Sequence, residues 1–308
     1  MSGSKPRLAI VLNPAAAGGQ GASRVAPALD ALSGAGVKFE VFPTTAPGHA
    51  RALARELALR AFPVVVAAGG DGAVNEVGAG LMEARTDAAL GVLPLGTGND
   101  FAASQGIRHL PSAVEALRHG RRRTIDVIRF SSSASGVAST HYAILFVGAG
   151  FAGDLLRHTT PKLKRIFGRR WSYPLGFLRA WLGVRSHAMT LKHDEGEESG
   201  RFLLVVAANS EFVGGQSLRP APGARMDDGV IDLLIVRNVG RWAMLPQFLK
   251  VMKGTHGGHP SVRLCRTRRL RVESSHPVGI QADGDLFGTG PLDLEVLPKA
   301  LNVISGAL

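Results

Sequence analysis

The residue that most invites chemistry is Asp71. It lies in the run Val64-Val65-Val66-Ala67-Ala68-Gly69-Gly70-Asp71-Gly72-Ala73-Val74-Asn75-Glu76-Val77. The opening residues are apolar and β-branched, the mark of a buried strand. The apolar spacing that resumes at Val74, Val77 and Leu81 is that of a helix. A strand, a glycine turn and a helix start together form a phosphate site. Glycine backbone lets N–H groups approach an anion, and the helix N-terminus adds a favourable dipole. A carboxylate in such a turn makes sense if a cation lies between it and the phosphates, or if it accepts a proton. The simpler alternative is a tight strand-to-helix turn with an aspartate near the helix start.

A second segment repeats the pattern. Gly91-Val92-Leu93-Pro94-Leu95-Gly96-Thr97-Gly98-Asn99-Asp100-Phe101-Ala102 is again an apolar strand running into a polar, glycine-rich turn. Two such turns at the ends of neighbouring strands face one cleft, where open α/β sheets bind ligands. Taken together, the two motifs resemble the diacylglycerol kinase catalytic-domain family, which includes bacterial lipid kinases, sphingosine kinases and ceramide kinases.

The resemblance implies an ATP-dependent, Mg²⁺-assisted transfer of a phosphoryl group to a lipid hydroxyl. It implies nucleotide contacts at Asn13, Thr44, Gly69, Gly70, Asp71, Gly72, Ala73, Val74, Asn75, Thr97 and Asn99. In Gln281-Ala282-Asp283-Gly284-Asp285 it implies Asp285 as general base and Asp283 as ligand of the catalytic metal. Bacterial relatives hold a structural Mg²⁺ at a carboxylate-rich turn. Here the corresponding ligands are the Asp228 side chain and the backbone carbonyls of Arg225 and Val230, oxygen donors of the kind hard cations prefer. The chain departs from the family at three places. Alanines replace the serine of the turn after Asn13-Pro14, Ala73 stands where threonine is usual, and Asp285 replaces a glutamate. A NAD kinase-like enzyme and a degenerate nucleotide- or lipid-binding protein are the alternatives. The residues around Asn75, Pro94 to Ala102 and Asp283 to Asp285 favour the lipid branch.

The elements that must position these groups follow from pattern. Strand-helix alternation from residue 8 to about 120 predicts a parallel sheet covered by helices. Many short strands after Thr124 predict a β-sandwich. The expected fold is therefore an α/β nucleotide-binding domain over 1–128, completed by 297–308, and a β-sandwich lipid-binding domain over 129–296. Tyr142 to Val147 reads as one strand, and His193 to Ser199 as a polar turn. Trp242 to Met252 reads as an ordinary packing helix.

The 308 residues carry a formal charge of +12, from 36 Lys and Arg against 24 Asp and Glu. That balance favours anionic partners. No zinc-finger spacing, RNA-binding aromatic motif or recognition helix supports nucleic acid. The basic stretch 151–185, with Trp171 and Trp181 at helical spacing, suits contact with an anionic membrane, or a core-packed helix with solvated charges. No apolar run reaches the roughly 20 residues of a spanning helix. The start of the chain lacks the apolar core of a signal peptide, and Cys265 has no second cysteine to pair with. The expected location is the cytoplasm, peripheral at the inner face of the membrane. Oligomeric state stays open, a homodimer included.

Overall fold

A computed structural model describes residues 7–119, 121–132, 139–153, 181 and 183–306. The chain forms two compact units. One comprises 1–127, 214–216 and 298–308; the other comprises 128–213 and 217–297.

Unit 1 is an α/β unit. Its elements are β1 (Leu8–Leu12), α1 (Ala16–Gly19), α2 (Gly21–Gly34), β2 (Phe39–Pro43), α3 (His49–Leu59), β3 (Val64–Gly69), α4 (Asp71–Ala84), β4 (Ala89–Pro94), α5 (Asp100–Ser104) and α6 (Leu110–His119). The strands lie in the order β2-β1-β3-β4 and all pairs are parallel. Every residue of β1 and β3 is buried, as expected of a parallel sheet covered on both faces. The registers Leu12↔Pro43, Leu12↔Ala68 and Gly69↔Pro94 bring the strand ends level. The turns that follow therefore leave from one edge of the sheet. The chain's last strand returns here, with Val303 pairing in parallel with Leu90.

Unit 2 is built from antiparallel strands. They are β5 (Arg122–Ser132, which starts in unit 1), β6 (Ser139–Ala143), β7 (Phe146–Gly150), β8 (His187–His193), β9 (Gly196–Ala208), β10 (Ile231–Arg237), β11 (Val262–Thr267), β12 (Arg269–Ser274), β13 (Gly279–Ala282), β14 (Asp285–Thr289) and β15 (Leu292–Ile304, which ends in unit 1). The path β14-β13-β7-β9-β8-β12-β15 carries most of the pairing, and β10 lies between β9 and β11. Alternation along the strands divides the apolar residues between two faces. Ile231, Leu233 and Ile235 of β10 point into one core with Val205 and Ala207. Leu234 and Val236 point into the other with Val206, Phe151, Trp181 and Met244. This is the β-sandwich that the strand series predicted.

Two expectations fail locally. The stretch 142–147 is not one strand: β6 stops at Ala143 and β7 starts at Phe146. The break has a cause. The backbone N–H groups of Ile144, Leu145 and Phe146 all turn toward the Asp283 carboxylate instead of a ladder. The stretch 193–199 is a tight hairpin rather than a loop. β8 and β9 pair through to His193↔Gly196, and Gly196 takes the positive φ of 133° that the turn needs. Of the basic stretch, 154–180 and Leu182 lie outside the described residues. Among the described residues, no helix is long and apolar enough to cross a membrane.

Candidate active site

In unit 1 the two glycine turns touch. A Cβ on Gly70 would lie 3.1 Å from Gly96 Cα, and one on Gly96 only 2.5 Å from Gly70 Cα. Neither glycine has a positive φ, so their smallness serves contact rather than conformation. Gly69 is tight against Ala73 and adjoins Asn13, at 2.5 and 3.6 Å for an added Cβ. Around Gly72, by contrast, an added Cβ would meet nothing within 4 Å. Open space beside Gly72 is where an anion can approach the N-terminus of α4, while the Ala73 and Val74 N–H groups donate to the Gly70 carbonyl.

Asp71 opens α4, with Gly70 as the extended residue before it. Its Oδ1 accepts the N–H of Phe101 at 3.1 Å, and its Oδ2 faces Gly98, 2.9 Å from where a Cβ would stand. Burial pushes its carboxyl above the usual carboxylate range. The Phe101 N–H opposes that shift, and the nearby Asp100 charge adds to it. A carboxylate whose charge is disfavoured beside another suits a cation or proton acceptance.

Asn99 takes left-handed backbone, and its side chain closes the turn on itself. Its Oδ1 accepts the Gly96 N–H at 2.9 Å, and its Nδ2 donates to the Gly96 carbonyl at 3.0 Å. Thr97 is exposed at the tip of the same turn. Asn13 follows β1, with its Oδ1 accepting the Ala15 N–H. Thr44 follows β2, its N–H donating to the Leu12 carbonyl. Val74 and Asn75 are buried near the start of α4, and among the described residues Asn75 Oδ1 meets no donor. An orphaned buried acceptor of this kind fits a donor on a ligand or water. Asn13, Thr44, Gly69 to Asn75, Thr97 and Asn99 thus gather at one edge of the unit 1 sheet.

Two residues at this edge escaped sequence reasoning as individuals. Asp100 is buried and accepts the N–H groups of Gly215 at 3.0 Å and Gln216 at 2.6 Å. Glu76 accepts the N–H groups of Gly48 and Ala50, at 3.0 and 3.1 Å, and so caps α3. Both sit inside the quoted motifs, but their partners are remote in sequence.

In unit 2, Asp283 and Gly284 form the two-residue turn of the β13–β14 hairpin, with φ of 47° and 91°. Asp-Gly is the expected chemistry for such a turn. The Asp283 carboxylate is buried and accepts three backbone N–H bonds, from Ile144 at 2.7 Å and from Leu145 and Phe146 at 2.9 Å. These bonds hold the 144–146 chain reversal. Asp285, by contrast, is exposed at the start of β14.

At the turn before β10, Asp228 Oδ1 accepts the Val230 N–H at 3.3 Å across Gly229, which has φ of 76°. The Arg225 guanidinium pairs with Asp227, and being a cation without an acceptor it leaves the backbone carbonyl as the ligand group of Arg225. One carboxylate with carbonyls and water is hard-cation chemistry, and the donor set fits Mg²⁺ on that count. Among the described residues, no three His, Cys, Asp or Glu side chains cluster as a metal site.

Comparison with known proteins agrees over both units. The diacylglycerol kinase catalytic domain family matches residues 7–130. The YegS C-terminal NAD kinase beta sandwich-like domain matches residues 147–305. A Bacillus subtilis protein named diacylglycerol kinase is 29% identical over 304 residues, covering 97% of this chain and 96% of that one. A Chromohalobacter salexigens protein named "Probable lipid kinase YegS-like" is 33% identical over 257 residues, covering 82% of this chain and 78% of that one. In fold, a Bacillus anthracis diacylglycerol kinase structure superposes with a TM-score of 0.73 at 19% identity, covering 99% and 98%. The chain belongs to the diacylglycerol kinase catalytic-domain family of kinases, with a YegS-type β-sandwich as its second half.

Proposed function

We propose that the chain is an ATP-dependent lipid kinase that moves the γ-phosphoryl group to a hydroxyl of a diacylglycerol-like lipid. The observation that carries this reading is the pair of touching glycine turns with Asp71 at the head of α4. Unit 1 binds the nucleotide. The N-terminus of α4 takes its phosphates over Gly72, and Asn13, Thr44, Thr97 and Asn99 frame the same sheet edge. Unit 2 takes the lipid. The lipid oxygen forms a bond to the γ-phosphorus as the bond from that phosphorus to the β-bridging oxygen breaks. The hydroxyl proton passes to a carboxylate, for which Asp285 is the exposed candidate. Asp71 would hold a divalent cation, which would neutralise charge on the phosphates. A second, structural one fits Asp228 with the carbonyls of Arg225 and Val230. The same reading places the enzyme at a membrane surface, where its acceptor resides.

The test is incubation of the purified chain with labelled ATP and Mg²⁺. The acceptor panel contains diacylglycerol, monoacylglycerol, a sphingoid base, ceramide, phosphatidylglycerol and, separately, NAD. A labelled phospholipid product supports the reading. Label in NADP, or no transfer with nucleotide still bound, replaces it.

A further inference from the structure

The helix α7 (Arg241–Lys253) carries apolar residues on a covered side and also on an exposed one. At about 100° per residue, Trp242 and Leu249 fall on one line, with Met252 and Pro246 to either side. All four are exposed, Trp242 at 72% and Leu249 at 59%. Three of the seven large hydrophobic side chains that the described residues expose are therefore on this one face. Met244, on the opposite face, supplies the core contact. Lys250 and Lys253 are exposed on the same side as Trp242, and the helix sequence contains no Asp or Glu.

The face is preformed. Trp242 rests edge-on against the buried Trp181, with ring centroids 5.1 Å apart. The far end is closed by Gly254 in left-handed conformation, whose N–H donates to the Lys250 and Val251 carbonyls. The buried His256 beneath it holds the Pro220 carbonyl through Nε2 at 3.1 Å.

We propose that α7 is an interfacial helix that docks the protein on an anionic bilayer, with Trp242, Leu249 and Met252 entering the headgroup–acyl boundary and Lys250 and Lys253 pairing with lipid phosphates. This rests on the reading that the acceptor is a lipid held in a membrane, and names the surface by which the chain reaches it. An aromatic anchor, aliphatic neighbours and basic residues without acids on this face are the chemistry of an interfacial contact with anionic lipid. Charge argues against a second copy as the occupant. A self-complementary contact through this face would bring four lysines into one interface with no acid of the helix to meet them.

The test is co-sedimentation of the full chain, without nucleotide, with vesicles of phosphatidylcholine alone or mixed with phosphatidylglycerol. The wild type should bind the mixed vesicles in a salt-sensitive way. Changing Trp242, Leu249 and Met252 together to serine should lower binding at least tenfold. The pair Lys250→Gln and Lys253→Gln, both at exposed positions, should lower it about fivefold per lysine at low salt. Phosphorylation of a short-chain acceptor presented in solution should be unaffected in either variant. Because binding is read without ATP, it stands or falls separately from the kinase reading. Absence of wild-type binding to mixed vesicles overturns the proposal, as does unchanged binding in both variants. So does a wild-type dimer that the serine variant converts to monomer with vesicle binding intact. If the serine variant fails to fold, the lysine pair alone decides.

Discussion

Asp71 is held in a state that costs stability. Its carboxyl is raised above the ordinary value chiefly by burial. A carboxyl raised in the folded state binds more protons there than in the unfolded chain. Stability therefore falls as pH rises from the unfolded value through the raised one, and the loss persists at neutral pH. Asp71→Asn keeps an Oδ1 acceptor for the Phe101 N–H and removes the charge. Turnover should fall roughly 10²-fold or more, while the melting temperature at pH 7 stays level or rises. A lower melting temperature with normal turnover would show that Asp71 is a structural cap. Asp283 and Asp285 form the complementary pair. Asp285→Asn should lower turnover by roughly 10²–10⁴-fold with nucleotide affinity unchanged, and Asp285→Glu, which restores the family's longer side chain, should preserve or raise it. Asp283→Ala strands three buried N–H groups, each worth about 1–3 kcal/mol. It should unfold the protein at lower denaturant, with equal loss of every activity. If Asp283→Ala is as stable as wild type, its carboxylate does not hold the 144–146 reversal. Sequence alone could not separate these two aspartates. Both belong to an Asp-Gly-Asp turn, and what distinguishes them is a backbone segment 137 to 139 residues earlier.

At the scale of elements, most of the fold was legible because its signals are local. Val64 to Val66 and Leu8 to Leu12 are uninterrupted apolar runs, and both are fully buried parallel strands. The glycine turns were legible for the same reason. Less legible was which face of an element is covered. In α7 one side packs, with Met244 in the core, while Trp242, Leu249 and Met252 on the other side are exposed, and the helical period alone does not tell the two sides apart. The glycines of the two turns carry a prediction that separates their roles. Gly96→Ala puts a Cβ 2.5 Å from Gly70 Cα, and backbone cannot swing aside as a flexible side chain can. Overpacking of this kind costs about 1–3 kcal/mol, and the melting temperature should drop. Gly72→Ala meets nothing in the protein and lies in helix, where alanine is favoured by about 1 kcal/mol. It should hold or raise the melting temperature yet raise the KM for ATP, since the added methyl occupies the space proposed for phosphate. Equal behaviour of the two variants in both assays would remove the phosphate site from that space.

At the scale of the whole molecule, the sheet that carries the nucleotide motifs depends on residues far from all of them. β15 leaves unit 2 near Leu297 and ends in unit 1. There Val303 pairs with Leu90, and Leu301, Val303 and Ile304 are all buried. The Asp126 carboxylate, itself buried, accepts the Lys299 N–H and fixes the strand as it enters. No motif marks this return, and the sequence shows only a short apolar run, so its place came from the family resemblance alone. Its energetic weight can be bounded. Burying three aliphatic side chains is worth about 1.5–3 kcal/mol each, so the strand end supplies about 5–9 kcal/mol. That compares with a total domain stability of about 5–15 kcal/mol. A chain ending at Leu297 keeps Asp71, both glycine turns and every proposed nucleotide contact. It should nevertheless lose the cooperative melting of unit 1 and its protection by ATP. Val303→Asp, which places an unpaired charge in the same core, should reproduce the loss in the full-length chain by more than about 4 kcal/mol. Circular dichroism melts with and without Mg²⁺ and ATP read both variants. Wild-type melting and nucleotide protection in the shortened chain would mean that unit 1 closes its sheet without the C-terminal strand.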